Sequence, residues 1–126
     1  MGYLIDTNVL IQYVAEEYSQ DDLLKLDIIM DDAFNLSVIS KIETLGFSGN
    51  TAEEMAKMSA FIGAAHVIGL SDAVVSQTIL LRKTYKIKTP DAIIAATAIV
   101  QNLILVTHDS GFQKINHLQV VEPIDI

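Results

Sequence analysis

Thr89-Pro90-Asp91-Ala92-Ile93-Ile94-Ala95-Ala96-Thr97-Ala98-Ile99-Val100-Gln101-Asn102 runs directly into Leu103-Ile104-Leu105-Val106-Thr107-His108-Asp109. Proline is favoured in the first helical position because its missing N–H has no partner there to lose. The run from Leu103 to Thr107 is apolar and β-prone, as expected of a strand buried on both faces of a parallel sheet. A helix of about 13 residues rises about 20 Å at 1.5 Å per residue, enough to carry the chain back across a sheet. Asp91, in the first turn of that helix, and Asp109, just after the strand, are therefore expected at one sheet edge.

The rest of the chain repeats this alternation. Residues 2–5 read as a short buried strand, and Thr7 or Asn8 is expected to cap a helix carrying Val9, Leu10, Tyr13 and Val14 on one face. Ser19 opens a second helix with Asp21 and Asp22 in its first turn. Residues 34–39 predict a strand, followed by a helix from about Ser40 to Gly46 and a turn at Phe47-Ser48-Gly49-Asn50. Thr51 and Glu54 form a capping box before an apolar stripe of Met55, Met58, Phe61 and Ile62. A weak strand at 66–70 and a helix from Ser71-Asp72 to about Tyr85 follow. A helical turn at 111–115 and a last strand at 118–121 close the pattern. Strands alternating with helices predict an α/β three-layer sandwich with a mostly parallel central sheet of four to five strands and right-handed crossovers. No repeat or linker divides residues 1–126, which read as a single domain.

Composition narrows the chemistry. Apolar residues make up 51% of the 126, an excess that fits a doubly covered sheet or a surface hidden by a partner. With no cysteine, disulfides, thiolate metal sites and cysteine nucleophiles are excluded. The longest apolar stretch, residues 92–106, is interrupted by Thr97, Gln101 and Asn102 and is too short to span a bilayer. No signal pattern opens the chain, so no membrane association and a cytoplasmic location are expected. The net charge of −8 runs against nucleic-acid binding on its face. Yet Arg82, Lys83, Lys86 and Lys88 cluster within seven positions just before Asp91. They suit either a helix C-terminus or contacts to phosphate.

Four carboxylates, Asp6, Glu43, Asp91 and Asp109, fall where a strand is expected to end or a helix to begin. Each has a structural explanation of its own. Ser40 and Glu43 match a capping box, Asp91 complements a helix dipole, and Asp6 and Asp109 suit turns. Their shared position is more informative, because ligands of parallel α/β sheets bind at the carboxyl ends of the strands. Four carboxylates gathered there would repel one another without a counter-ion. Oxygen-only ligands suit Mg2+ or Mn2+.

These segments resemble the PIN-domain ribonucleases, most closely the VapC-type toxins of toxin–antitoxin pairs. The resemblance rests on Ile5-Asp6-Thr7-Asn8-Val9-Leu10, Ser40-Lys41-Ile42-Glu43 with Gly46, Pro90-Asp91-Ala92-Ile93-Ile94-Ala95-Ala96-Thr97-Ala98, and Leu105-Val106-Thr107-His108-Asp109-Ser110-Gly111-Phe112. In order, they cover essentially the whole chain. What the resemblance implies is a Mg2+- or Mn2+-dependent endoribonuclease with Asp6, Glu43, Asp91 and Asp109 as catalytic metal ligands. Asn8 and Thr107 would be supporting polar residues, and Arg82, Lys83, Lys86 and Lys88 would contact RNA. It also implies a cognate antitoxin and a homodimer. Chemistry of this kind rests on metal ions that activate water and neutralise the phosphate. His108 is expected to face solvent or to support the site from behind. Many relatives carry an acid at the position of Gly111, so this chain departs from the pattern there.

Two other readings compete. A phosphoryl-transfer domain of the haloacid dehalogenase or receiver type also puts an aspartate after the first strand. The former wants an acid or Thr where Asn8 stands, and the latter an early acidic pair and a late Lys. A non-catalytic PIN-like interaction module is the other alternative.

Overall fold

The computed structural model describes residues 2–126. Strands β1 (Tyr3–Ile5), β2 (Phe34–Ser37), β3 (His66–Ile68), β4 (Ile104–Val106) and β5 (Val120–Val121) form one sheet in the order β3-β2-β1-β4-β5. Every neighbouring pair is parallel. β1 lies at the centre, with Ile5 beside Val106 of β4. The α/β sandwich with five strands agrees with the expectation. It follows from strands too apolar to leave either face in water.

Among the described residues, six α-helices cover the sheet: α1 (Thr7–Val14), α2 (Gln20–Asp32), α3 (Val38–Leu45), α4 (Ala52–Gly63), α5 (Asp72–Thr84) and α6 (Thr89–Gln101). One core packs Leu4 and Leu105 against α5 and α6 through Val74, Leu81, Ile94 and Ala95. The other packs Ile5, Leu36 and Val106 against α1, α2 and α4 through Val9, Leu10, Leu26, Met58 and Ile62. Alternate residues of β1 and β4 thus feed opposite cores, as the two-residue strand period requires. The stripes at Val9-Leu10 and Met58-Ile62 are consumed by this packing. Ile11, Ile42 and Phe47 are the large apolar side chains left exposed nearby.

The Thr51–Glu54 capping box forms with both of its hydrogen bonds. Asn102 ends α6 in the left-handed conformation at φ 55°, a position asparagine tolerates better than most residues. That turn lets β4 begin within two residues and brings its carboxyl end level with the start of α6. Among the described residues, no helix is long and apolar enough to cross a membrane.

Candidate functional site

Asp6 leaves the end of β1 with extended backbone (φ −72°, ψ 155°) and itself caps α1, its Oδ1 accepting the Thr7 N–H at 2.8 Å. The cap is therefore neither Thr7 nor Asn8, because both already lie inside the helix. Just past the end of the neighbouring strand β4, Thr107 donates its hydroxyl to Asp6 Oδ2 at 2.6 Å. Asp6 is only 5% exposed. Burial raises its carboxyl pKa above the usual range, the bonds from Thr107 and Thr7 work against this, and the charges of Asp91 and Glu43 push it further up.

Glu43 is held differently from the sequence expectation. β2 ends at Ser37, earlier than expected, and Ser37 caps α3 by accepting the Ile39 N–H at 3.1 Å. Ser40 is then an interior helix residue, buried, and the expected Ser40–Glu43 capping box does not form. Glu43 sits in mid-helix and is exposed, with Oε1 accepting from the Thr7 hydroxyl at 2.8 Å. The same hydroxyl lies 2.9 Å from Ser40 Oγ. With one proton to give, Thr7 donates to the carboxylate and accepts from Ser40. Sequence reading missed Thr7, since a threonine at a helix start is indistinguishable from a cap.

Asp91 occupies the first turn of α6. Burial raises its pKa, the neighbouring charges of Asp109 and Glu43 raise it further, and Lys88 opposes them. Asp109 caps the 3-10 turn Ser110–Lys114, its Oδ1 accepting the Gly111 N–H at 2.8 Å. The Asp109 N–H in turn donates to Thr107 Oγ1 at 3.0 Å. A Cβ at Gly111 would stand 3.0 Å from Asp109 Oδ1, so any side chain there would crowd this carboxylate.

Asp91 links the four acids: the charges of Asp109 and Glu43 act on it, and its own charge acts on Asp6. Among the described residues, no three carboxylate or imidazole groups stand close enough together to hold a metal ion by themselves. Asn8, two residues beyond Asp6, has a buried Oδ1 with no hydrogen-bond partner, a costly state for a polar atom. Oxygen donors under mutual repulsion, with a carboxamide oxygen lacking a partner two residues from one of them, fit a hard divalent cation.

Asp91 and Asp109 open onto a cleft of about 290 Å3 lined also by Lys86, Ile87, Lys88, Gly111, Phe112 and Lys114. Of the four cations expected to contact RNA, Lys86 and Lys88 are here. Arg82 and Lys83 are not among its lining residues. Arg82 donates to the Ile87 carbonyl at 2.7 Å and so braces the segment leading into α6. Lys114 joins the cleft instead, donating to the Lys86 carbonyl at 2.8 Å. Nothing in its sequence neighbourhood marks it. His108 is exposed, as expected, and bonds to the Tyr18 hydroxyl.

The model of the PIN domain matches residues 3–118. This chain belongs to the PIN-domain family. No curated protein sequence matches it. Among solved structures, a toxin–antitoxin complex from Klebsiella pneumoniae contains a chain 26% identical to this PIN domain, with a TM-score of 0.76 over 99% of this chain and 100% of that one. VapBC2 from Rickettsia felis, bound to a DNA fragment from its promoter, gives 23% identity and a TM-score of 0.82 over 97% and 98%. DNA-bound VapBC from Salmonella typhimurium gives 17% identity and 0.85 over 98% of both chains. At these lower identities the likeness is one of fold.

Proposed function

We propose that this PIN domain is a divalent-metal-dependent endoribonuclease, the toxin of a toxin–antitoxin pair, acting in the cytoplasm. The observation that carries the reading is the coupling of Asp6, Glu43, Asp91 and Asp109 in one field beside a lysine-lined cleft. Those four acids, with Asn8, are the residues that would hold Mg2+ or Mn2+. A bound divalent ion supplies charge neutralisation at the phosphate and lowers the pKa of an attacking water.

The chain's own groups do the rest. Thr107 and the Thr7 amide fix both oxygens of Asp6, and the Thr7 hydroxyl fixes Glu43. Lys86, Lys88 and Lys114 supply positive charge where a phosphate backbone would approach Asp91 and Asp109. An open cleft of this kind suits a strand passing across it better than an enclosed small molecule. The net charge of −8 is thereby reconciled with an anionic substrate. Four of the sixteen acidic residues would lie at the metal site, where bound cations would reverse the local field.

The antitoxin reading draws on an apolar groove next to Glu43, lined by Thr7, Ile11, Thr44, Phe47, Asn50 and Met58. Ile11 and Phe47 are 46% and 58% exposed there. It also draws on the toxin–antitoxin complexes whose chains share the fold. A homodimer would find a separate apolar surface on α5, where Val75, Ile79 and Leu80 are exposed.

The test is cleavage of structured RNA with Mg2+ or Mn2+, with EDTA, and by folded Asp6→Asn and Asp91→Asn variants. Metal-dependent cleavage lost in both variants is expected. Cleavage that persists in EDTA or in both variants overturns the mechanism, and no cleavage under any condition favours a non-catalytic module.

A further inference from the structure

Tyr18 and His108 come together from positions 90 residues apart. Their rings stack with centroids 5.7 Å apart and planes inclined by 24°. Tyr18 is partly buried against the core formed by Ile5, Val9 and Val106, which fixes its ring, and its hydroxyl bonds to His108 Nε2. His108 itself is exposed. It stands between Thr107, which holds Asp6, and Asp109. An aromatic ring fixed from behind, open in front and next to two of the proposed metal ligands plays no part in the chemistry derived above.

We propose that the His108 imidazole, braced by Tyr18, is a stacking platform for one unpaired base of the RNA, adjacent to the phosphate that is cut. This rests on the endoribonuclease reading. Sequence-selective recognition of RNA relies on unpaired bases stacked on aromatic side chains, histidine included. A ring already held in place loses less freedom on binding than a mobile one. The surroundings also select the base over the phosphate. Burial raises the Tyr18 hydroxyl pKa, and the nearby charges of Asp22 and Glu17 raise it further, so the platform is flanked by acids that would repel a phosphate. The lysines line the cleft with Asp109 and Phe112, whose core is that of α5 and α6. Tyr18 belongs to the opposite core. An RNA strand with its phosphates on Lys86, Lys88 and Lys114 and one base on His108 would cross the sheet edge over Asp91, Asp109 and Asp6.

The experiment measures binding of short single-stranded RNAs in Ca2+, each carrying 2-aminopurine or an abasic spacer at one position around the mapped cut. Fluorescence quenching at one position is expected with the wild type, lost in His108→Ala and restored in part in His108→Phe. An abasic spacer at that position should weaken binding about tenfold to the wild type and to His108→Phe, with little effect on His108→Ala. Tyr18→Phe, which keeps the ring and drops the hydroxyl, should lose part of the quenching. Abasic spacers that weaken wild type and His108→Ala equally at every position would overturn the platform while leaving the nuclease reading intact. RNA neither bound nor cut by the wild type would overturn both.

Discussion

The Thr7 hydroxyl donates to Glu43 Oε1 at 2.8 Å, joining the first turn of α1 to the middle of α3 across 36 residues. Its amide meanwhile donates to Asp6 Oδ1, so one threonine orients two of the four acids. Groups that orient metal ligands typically contribute tenfold to a hundredfold to affinity or activity. Thr7→Val keeps the shape and the amide but removes the hydroxyl. Its RNA cleavage rate should fall about tenfold or more at saturating Mg2+, with its melting temperature within a few degrees of wild type. An unchanged rate would show that Glu43 needs no such support.

The pH dependence of stability should expose the strain at Asp6. Its folded-state pKa is raised, chiefly by burial, so the folded protein binds this proton more tightly than the unfolded chain does. The penalty is absent below the unfolded value, grows as pH rises through the interval up to the folded pKa, and is complete above it. Asp6→Asn removes the charge, and asparagine caps helices as well as aspartate does. In metal-free protein, Asp6→Asn should melt higher than wild type at pH 7, and the gain should shrink as the pH is lowered towards 4. A variant that melts lower than wild type at pH 7 would mean the hydrogen bonds outweigh burial.

Divalent ions should relieve the same repulsion. A ligand that binds only the folded state adds about 2.7 kcal/mol of stability at a hundred times its Kd. Mg2+ or Mn2+ should accordingly raise the melting temperature by several degrees in differential scanning fluorimetry. Asp91→Asn should abolish most of that rise, because Asp91 interacts with each of the other three acids. Equal stabilisation of wild type and Asp91→Asn would place the ion elsewhere.

Cations in and around the cleft should separate into two kinds. Lys114→Glu should raise KM for RNA about tenfold at low salt, with the difference narrowing as ionic strength rises. Arg82→Ala should instead lower stability by about 1 kcal/mol through loss of the brace on the Ile87 carbonyl, leaving the salt dependence of RNA binding unchanged. Salt titrations of RNA binding and thermal melts of the two variants decide between the roles.

Much of the fold was legible because local chemistry and tertiary packing agreed. Thr51 with Glu54, Ser19 with Asp22 and Ser71 with Val74 cap their helices at the expected places. The boundary at β2 was not legible. Ser37 and Ser40 are equally good caps by sequence, and pairing of Ser37 with Ile68 on β3 decides where strand gives way to helix. That choice also removes the capping explanation of Glu43, which periodicity alone left open.

By itself the sequence determined the alternation of apolar strands with capped helices, and hence the parallel sheet and the edge at which Asp6, Asp91 and Asp109 gather. Those features depend on residues within a few positions of one another, where period, caps and turns act. Tertiary structure alone decided that Thr7 holds Glu43, that Lys114 replaces Arg82 and Lys83 at the cleft, and that Tyr18 braces His108. The Thr7 and Tyr18 contacts join residues from separate elements that meet because β1 lies between β2 and β4. A side-chain contact of that kind has no periodicity and no local spacing to betray it.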